Sequence, residues 1–272
     1  GREQLSGIRV GAHDEIFQSG RPVLTGVDVH SLYCYLLSLE DHRDADTWGV
    51  RLLELREKGL HPDHTVADFG SGLRAGQALA WDDVPCDGDV FHALQEMSRQ
   101  VSYLENRAFG AMTARESLER HMERSKKHRR GNKLSGRLAC ARAAEEKAVS
   151  LADDLALLTK WLHDDVLCLV GPDLQTRREL LQFVTEELEA REELAPHRIG
   201  PIRRLLENQG EGLLAFVARI DAQLKELASS FQVDPHDVRS LYELQGSALD
   251  DTTRYERESV LRKRLRHAFY PL

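Results

Sequence analysis

The hydrophobic period of this chain changes once, near residue 92, and that change limits what each half can form. Before it, apolar residues alternate or run in short blocks, the signature of strands. After it, they recur at i, i+3 and i+4, the signature of amphipathic helices. Residues 7–17 alternate, so Ile8, Val10, Ala12 and Asp14 share one face of a strand. Ser19-Gly20-Arg21-Pro22 is a turn signal. Val23–Val29 and Leu32–Leu39 read as a second and a third strand. Their short links favour an antiparallel meander.

A helix follows, capped at Asp46 or Thr47, striped by Trp48, Leu52 and Leu55, and stopped at Gly59. His64–Asp68 is a short buried strand ending in an acid, and Phe69-Gly70-Ser71-Gly72 is a tight turn. A short helix runs from Leu73 to Trp81, and Asp89–Leu94 reads as one more strand leading into a helix. Beyond that point Met97, Val101, Leu104 and Ala108 keep helical spacing, as do Leu151, Leu155, Leu158 and Leu162. The clearest stripe is Leu213, Val217, Ile220, Leu224 and Leu227. The expected organisation is an α/β core over residues 1–95 and a mostly helical region over 96–272. Within the latter, a basic stretch around 124–142 forms the tip between two antiparallel helices.

The net charge of −8 is unevenly placed: residues 1–90 hold 16 acids against 8 bases, and the remainder holds 29 of each. An acidic α/β segment is not a general nucleic-acid surface, but it suits a site neutralised by cations. No apolar run approaches the roughly 20 residues of a membrane span, so no membrane partner is expected. The chain opens Gly1-Arg2-Glu3-Gln4, without an apolar leader and without Met, as a fragment or a tagged protein does. Cys34, Cys86, Cys140 and Cys168 have no CxxC spacing and read as reduced thiols of an intracellular protein. Gly70-Ser71-Gly72 lacks the Lys-Ser/Thr of a phosphate-binding loop.

Asp14 falls near the end of the first strand and Asp68 at the end of the fourth. If those strands are neighbours, the two carboxylates converge, and a divalent cation relieves their repulsion. From spacing alone, Asp14 fits equally as a turn cap and Asp68 as the opening of the glycine turn. Asp28, also on a strand, is a rival for the first position; Asp14 is preferred for its neighbour Glu15 and the hairpin after it. His13 reads as a solvent-facing or supporting residue.

His13-Asp14-Glu15-Ile16-Phe17, Val66-Ala67-Asp68-Phe69-Gly70-Ser71-Gly72 and Asp89-Val90-Phe91-His92 occur in this order. Together they resemble the catalytic core of bacterial insertion-sequence transposases of the DDE type. That resemblance covers residues 7 to about 95. It implies a ribonuclease H-like (retroviral integrase-like) mixed sheet interrupted by a large α-helical insertion. It also implies metal-dependent phosphodiester hydrolysis and strand transfer, with Mg²⁺ or Mn²⁺ as cofactor. Asp14 and Asp68 match the first two metal ligands, and Glu15, Asp89 and His92 match supporting positions. The third acid, usually a Glu on a later helix, has no convincing counterpart. Glu243, Glu256 and Glu258 lie on plausible helices, and the expectation is that the chain stops before the last catalytic helix. An N-terminal DNA-binding region is not evident.

The implied partners are DNA, both transposon ends and target, and further copies of the chain in a homo-oligomer. The implied location is the prokaryotic cytoplasm, in association with the nucleoid. Lys126, Lys127, Arg129, Arg130 and Lys133 of the basic stretch are the candidates for DNA backbone contact. The alternative is a non-catalytic helical interaction or scaffold protein with a degenerate core. A related ribonuclease H-like nuclease is a third reading.

Overall fold

Ser19 and Gly20 both take positive φ, 52° and 81°. Such a two-residue turn matches the twist of an antiparallel pair, and glycine enters that region without steric cost. It joins β1 (Val10–Gln18) to β2 (Arg21–Asp28), which pair from Gly11↔Asp28 to Gln18↔Arg21. β3 (Cys34–Leu39) pairs antiparallel with β2, so the expected meander is present. This computed structural model describes residues 2–126 and 132–246. A short helix, α1 (Arg2–Leu5), precedes β1.

Helix α2 (Ala45–Glu57) starts slightly earlier than the sequence suggested. Asp44 caps it, accepting the Thr47 N–H at 2.9 Å, and this leaves Asp46 in the first turn, where a carboxylate favours the helix dipole. The chain then enters β4 (His64–Ala67), which lies parallel to β1. Helix α3 (Ser71–Ala80) begins inside the expected glycine turn, and β5 (Cys86–Gly88) lies parallel to β4. The sheet order is β3-β2-β1-β4-β5.

The strand expected over Asp89–Leu94 is not there. β5 ends at Gly88, and helix α4 (Val90–Lys126) starts at once. Asp89 accepts the Phe91 N–H at 2.7 Å and pairs with His92 Nδ1 at 2.8 Å, so a capping acid overrides a short alternating pattern.

Helices α2 and α3 cover one face of the sheet. Trp48, Leu52 and Leu55 of α2 and Leu73 and Ala80 of α3 pack with Leu24, Leu36 and Ala67 of the strands. Each large side chain buried there stabilises the fold by about 1.5–3 kcal/mol. The chain's contacts divide into two units. The first is Gly1–His92 with Gln209–Ala222, and the second is Ala93–Asn208 with the chain from Gln223 onward. In the first unit, Gln209–Ala222 belongs to helix α7 (Pro196–Ser230) and lies on β5. A Cβ added at Gly88 would meet Leu213 Cδ2 at 3.2 Å. Arg219 pairs with the buried Asp87 at 2.6 Å, a charge contact rather than an aligned hydrogen bond.

The second unit is helical. Most of α4 runs antiparallel to α5 (Asn132–Trp161), joined by Arg115 to Glu145 at 2.7 Å and by Arg142 to Glu119 at 2.9 Å. A π-helical turn, Leu162–Val166, extends α5. The buried Arg177 of α6 (Leu174–Glu192) donates to the carbonyls of Val166, Cys168 and Pro172, groups that otherwise lack partners. Helix α8 (Pro235–Gly246) is the last described element. No helix among the described residues is long and apolar enough to cross a membrane.

Candidate active site

The parallel ladder between β1 and β4 pairs Val10↔His64 through His13↔Ala67. The next residues on the two strands are Asp14 and Asp68. Adjacent strands lie about 4.8 Å apart, so the two acids follow side by side. β5 stays beside β4 past its end, because the Asp89 N–H donates to the Ala67 carbonyl at 2.9 Å. Asp14, expected near the end of the first strand, lies in the middle of β1, which runs on to Gln18 beside β2 after the β4 ladder stops; Asp68 and Asp89 stand at the carboxyl ends of β4 and β5. That is the edge at which parallel sheets collect ligands.

The three acids are not equivalent. Asp14 is exposed, and its Oδ1 accepts only its neighbour's N–H, from Glu15 at 2.7 Å. Its carbonyl accepts the Thr25 hydroxyl at 2.8 Å, which adds a side-chain tie between β1 and β2 at this pair. Asp68 is half-buried; Oδ1 accepts the Gly70 N–H at 2.9 Å and its carbonyl accepts Arg74 Nε at 3.1 Å. Asp89 is taken up by capping α4 and by His92, whose ring lies edge-on to Phe91. Asp89 and His92 thus serve each other, while Asp14 and Asp68 keep open oxygens. Two hard oxygen ligands of this kind fit Mg²⁺, which is commonly held by one or two carboxylates, waters and substrate phosphate. Among the described residues, no group of three His, Cys, Asp or Glu side chains gathers at metal-ligand spacing.

Glu15 points the opposite way from Asp14. Its side chain is only 7% exposed; Oε1 accepts Trp48 Nε1–H at 2.9 Å and Oε2 accepts Arg43 Nη1–H at 2.7 Å. Arg43 lies over the Phe17 ring, 5.5 Å from its centroid. The Glu15 carboxylate first, and the Asp68 charge as well, hold the Arg43 guanidinium above the ordinary arginine pKa. Sequence reasoning missed Arg43 and Trp48, which come from the loop before α2 and from α2 itself.

His13 is not solvent-facing. It shares the inner face with Glu15 and is buried against Trp48, Trp81 and Tyr35. Its Nε2 pairs with Tyr35 Oη at 2.8 Å, and desolvation lowers its pKa to about 4. Asp28 ends β2 beside Gly11, three pairs along the ladder from Asp14. It caps a turn, accepting the Ser31 N–H at 3.0 Å and the Ser31 hydroxyl, and the hydroxyl chiefly lowers its pKa. The rival for the first ligand position is thereby explained without chemistry.

Of the basic candidates, Lys126 closes α4 and Lys133 lies in the first turn of α5. Lys127, Arg129 and Arg130 lie outside the described residues, as do Glu256 and Glu258. Glu243, on α8, is engaged by Arg239 at 2.7 Å. No protein-family model matches the chain, and no curated protein does either.

Proposed function

We propose that this chain carries the core of a DDE-type DNA transposase with a ribonuclease H-like fold, acting on DNA phosphodiesters with Mg²⁺ or Mn²⁺. The observation that carries the reading is the register of β1 on β4, whose last pair, His13↔Ala67, is followed directly by Asp14 and Asp68. The convergence of the two acids was conditional on the first and fourth strands being neighbours, and β1 and β4 are hydrogen-bonded. Asp89 and His92 follow directly after β5, at the start of α4, where the resemblance would put them on the fifth strand itself. A bound divalent ion supplies Lewis acidity for in-line attack of water or a 3′-hydroxyl on phosphorus.

The chain's own residues have separable roles. Asp14 and Asp68 would hold the cation through their open oxygens. The Thr25 hydroxyl ties the Asp14 carbonyl to β2, and Arg74 Nε holds the Asp68 carbonyl. Asp89 and His92 start α4 beside the site. Asp14→Ala and Asp68→Ala should each abolish Mn²⁺-dependent nicking of supercoiled DNA by the complete protein, with the fold unchanged by circular dichroism. Normal nicking by either variant sinks the assignment.

The second reading, a non-catalytic scaffold with a degenerate core, is favoured by one observation: no third ligand joins the pair among the described residues. Calorimetric titration with Mn²⁺ separates the two, since a degenerate core has no reason to bind the ion at Asp14 and Asp68. Strand-transfer products separate a transposase from a ribonuclease H-like nuclease.

A further inference from the structure

Glu15 is an expensive residue where it stands. A carboxylate that is 7% exposed must be compensated by donors, or its burial costs several kcal/mol. It receives two, Trp48 Nε1–H and Arg43 Nη1–H. Arg43, in contrast, is 61% exposed. Its remaining N–H groups donate to no protein acceptor among the described residues. An exposed ion pair by itself contributes little to stability, so stability does not account for this arrangement.

What the arrangement does achieve is to fix a guanidinium. Glu15 and the Phe17 ring hold the side chain, and the start of α3 holds the backbone. A Cβ at Gly72 would stand 2.2 Å from the Arg43 carbonyl oxygen, so only glycine lets α3 close on this loop. The free face of Arg43 borders an open cleft of about 760 Å³, lined also by Glu15, Phe17, Asp44, Ser71 and Gly72. The cleft reaches Gly70, whose N–H donates to Asp68 Oδ1 at 2.9 Å. Arg43 is thus a preorganised cation on the Asp68 side of an edge otherwise built from acids. That edge would repel a phosphodiester unless positive charge accompanied it.

Building on the transposase reading above, we propose that Arg43 is a DNA-binding residue of this site. Its outward N–H groups donate to a non-bridging oxygen of a phosphodiester lying in the cleft beside Asp68. Glu15 is then a positioning residue, acting through Arg43 and itself held by Trp48. Arginine suits the task because its planar fork matches a phosphate in two parallel hydrogen bonds.

The test uses the full chain, Ca²⁺ in place of Mg²⁺, and a fluorescein-labelled single-stranded oligothymidylate read by anisotropy across a salt series. Arg43→Ala should weaken binding by roughly tenfold or more, the worth of a charge-assisted hydrogen bond. It should also lower the slope of log affinity on log salt by about one phosphate contact. Arg43→Lys and Glu15→Gln should fall between, since each keeps part of the geometry. Mn²⁺ affinity, measured by calorimetry without DNA, should stay at the wild-type value in Arg43→Ala and vanish in Asp14→Ala. Wild-type DNA affinity and salt slope in Arg43→Ala would overturn the inference, as would no DNA binding by the wild-type chain. Should Arg43→Ala fail to fold, unchanged binding by both Arg43→Lys and Glu15→Gln would overturn it equally. Absence of Mn²⁺ binding in the wild type counts against the transposase reading instead, so the two failures are distinguishable.

Discussion

Burial of His13 makes the α/β unit acid-sensitive in a way that can be calculated. Its pKa falls from the ordinary 6.5 to about 4 in the fold because desolvation penalises the imidazolium. The unfolded chain therefore takes up the proton first as pH drops. The stabilising contribution is complete above pH 6.5 and is lost between pH 6.5 and about 4. At about 1.36 kcal/mol per pKa unit, the full loss is about 3.4 kcal/mol, of which about 2 kcal/mol appears between pH 7 and pH 5. His13→Leu with Tyr35→Phe removes both partners of the buried hydrogen bond and leaves neither orphaned. Urea unfolding read by Trp48 and Trp81 in a Trp161→Phe background follows this unit, because both rings touch His13. A chelator in the buffer removes any cation at Asp14. The wild type should lose roughly 1–2 M in urea midpoint between pH 7 and pH 5. The double variant should lose less by the His13 share, other titrating groups being common to both. Parallel losses in the two proteins would refute the reasoning.

Two further predictions follow from close packing and buried donors. Gly72→Ala should destabilise the first unit by about 1–3 kcal/mol, because the Arg43 carbonyl is backbone and cannot step aside. Gly110→Ala, in open space on α4, should stabilise its helix by about 1 kcal/mol, and chemical denaturation of the pair reads the opposite signs. Arg177→Met should cost at least about 3 kcal/mol, since the carbonyls of Val166, Cys168 and Pro172 lose a charged donor. Trp161 fluorescence beside the π-helical turn and the thermal midpoint of the helical unit both report it.

The parts of this fold legible in the sequence are those set by local chemistry. Ser19-Gly20 fixed the first hairpin through its backbone preference, and the meander followed from it. The end of α2 was legible because Gly59 stops it; its start was not, because Asp44, Asp46 and Thr47 can all cap and only geometry chooses. Asp89-Val90-Phe91-His92 misled for a related reason. Four alternating residues satisfy a strand pattern, yet the Asp89 side chain does more by closing the first turn of α4. His13 and Asp14 exposed a different limit. β1 lies in the middle of the sheet with apolar residues on both faces, so alternation could not say which polar neighbour was buried. The Asp14–Asp68 pairing was legible only as a condition, because the sequence shows both acids but not which strands are neighbours. Arg43, 28 positions from Glu15, was not, because nothing in either segment alone announces a partner.

Helix α7 places one more constraint on this protein, in the time domain. β5 is complete at Gly88, but Leu213 and Arg219, which pack on it, come more than a hundred residues later. During synthesis at about 5–20 residues per second, the sheet waits roughly 6–26 s for that cover. Through that interval Asp87 has no counter-charge from Arg219, and the face of β5 on which Leu213 will pack stands open. The β5 side of the sheet is thus finished by one of the last described segments to leave the ribosome. The α/β unit depends for its completion on a helix that also belongs to the helical unit, so damage to α7 reaches the sheet without touching a strand.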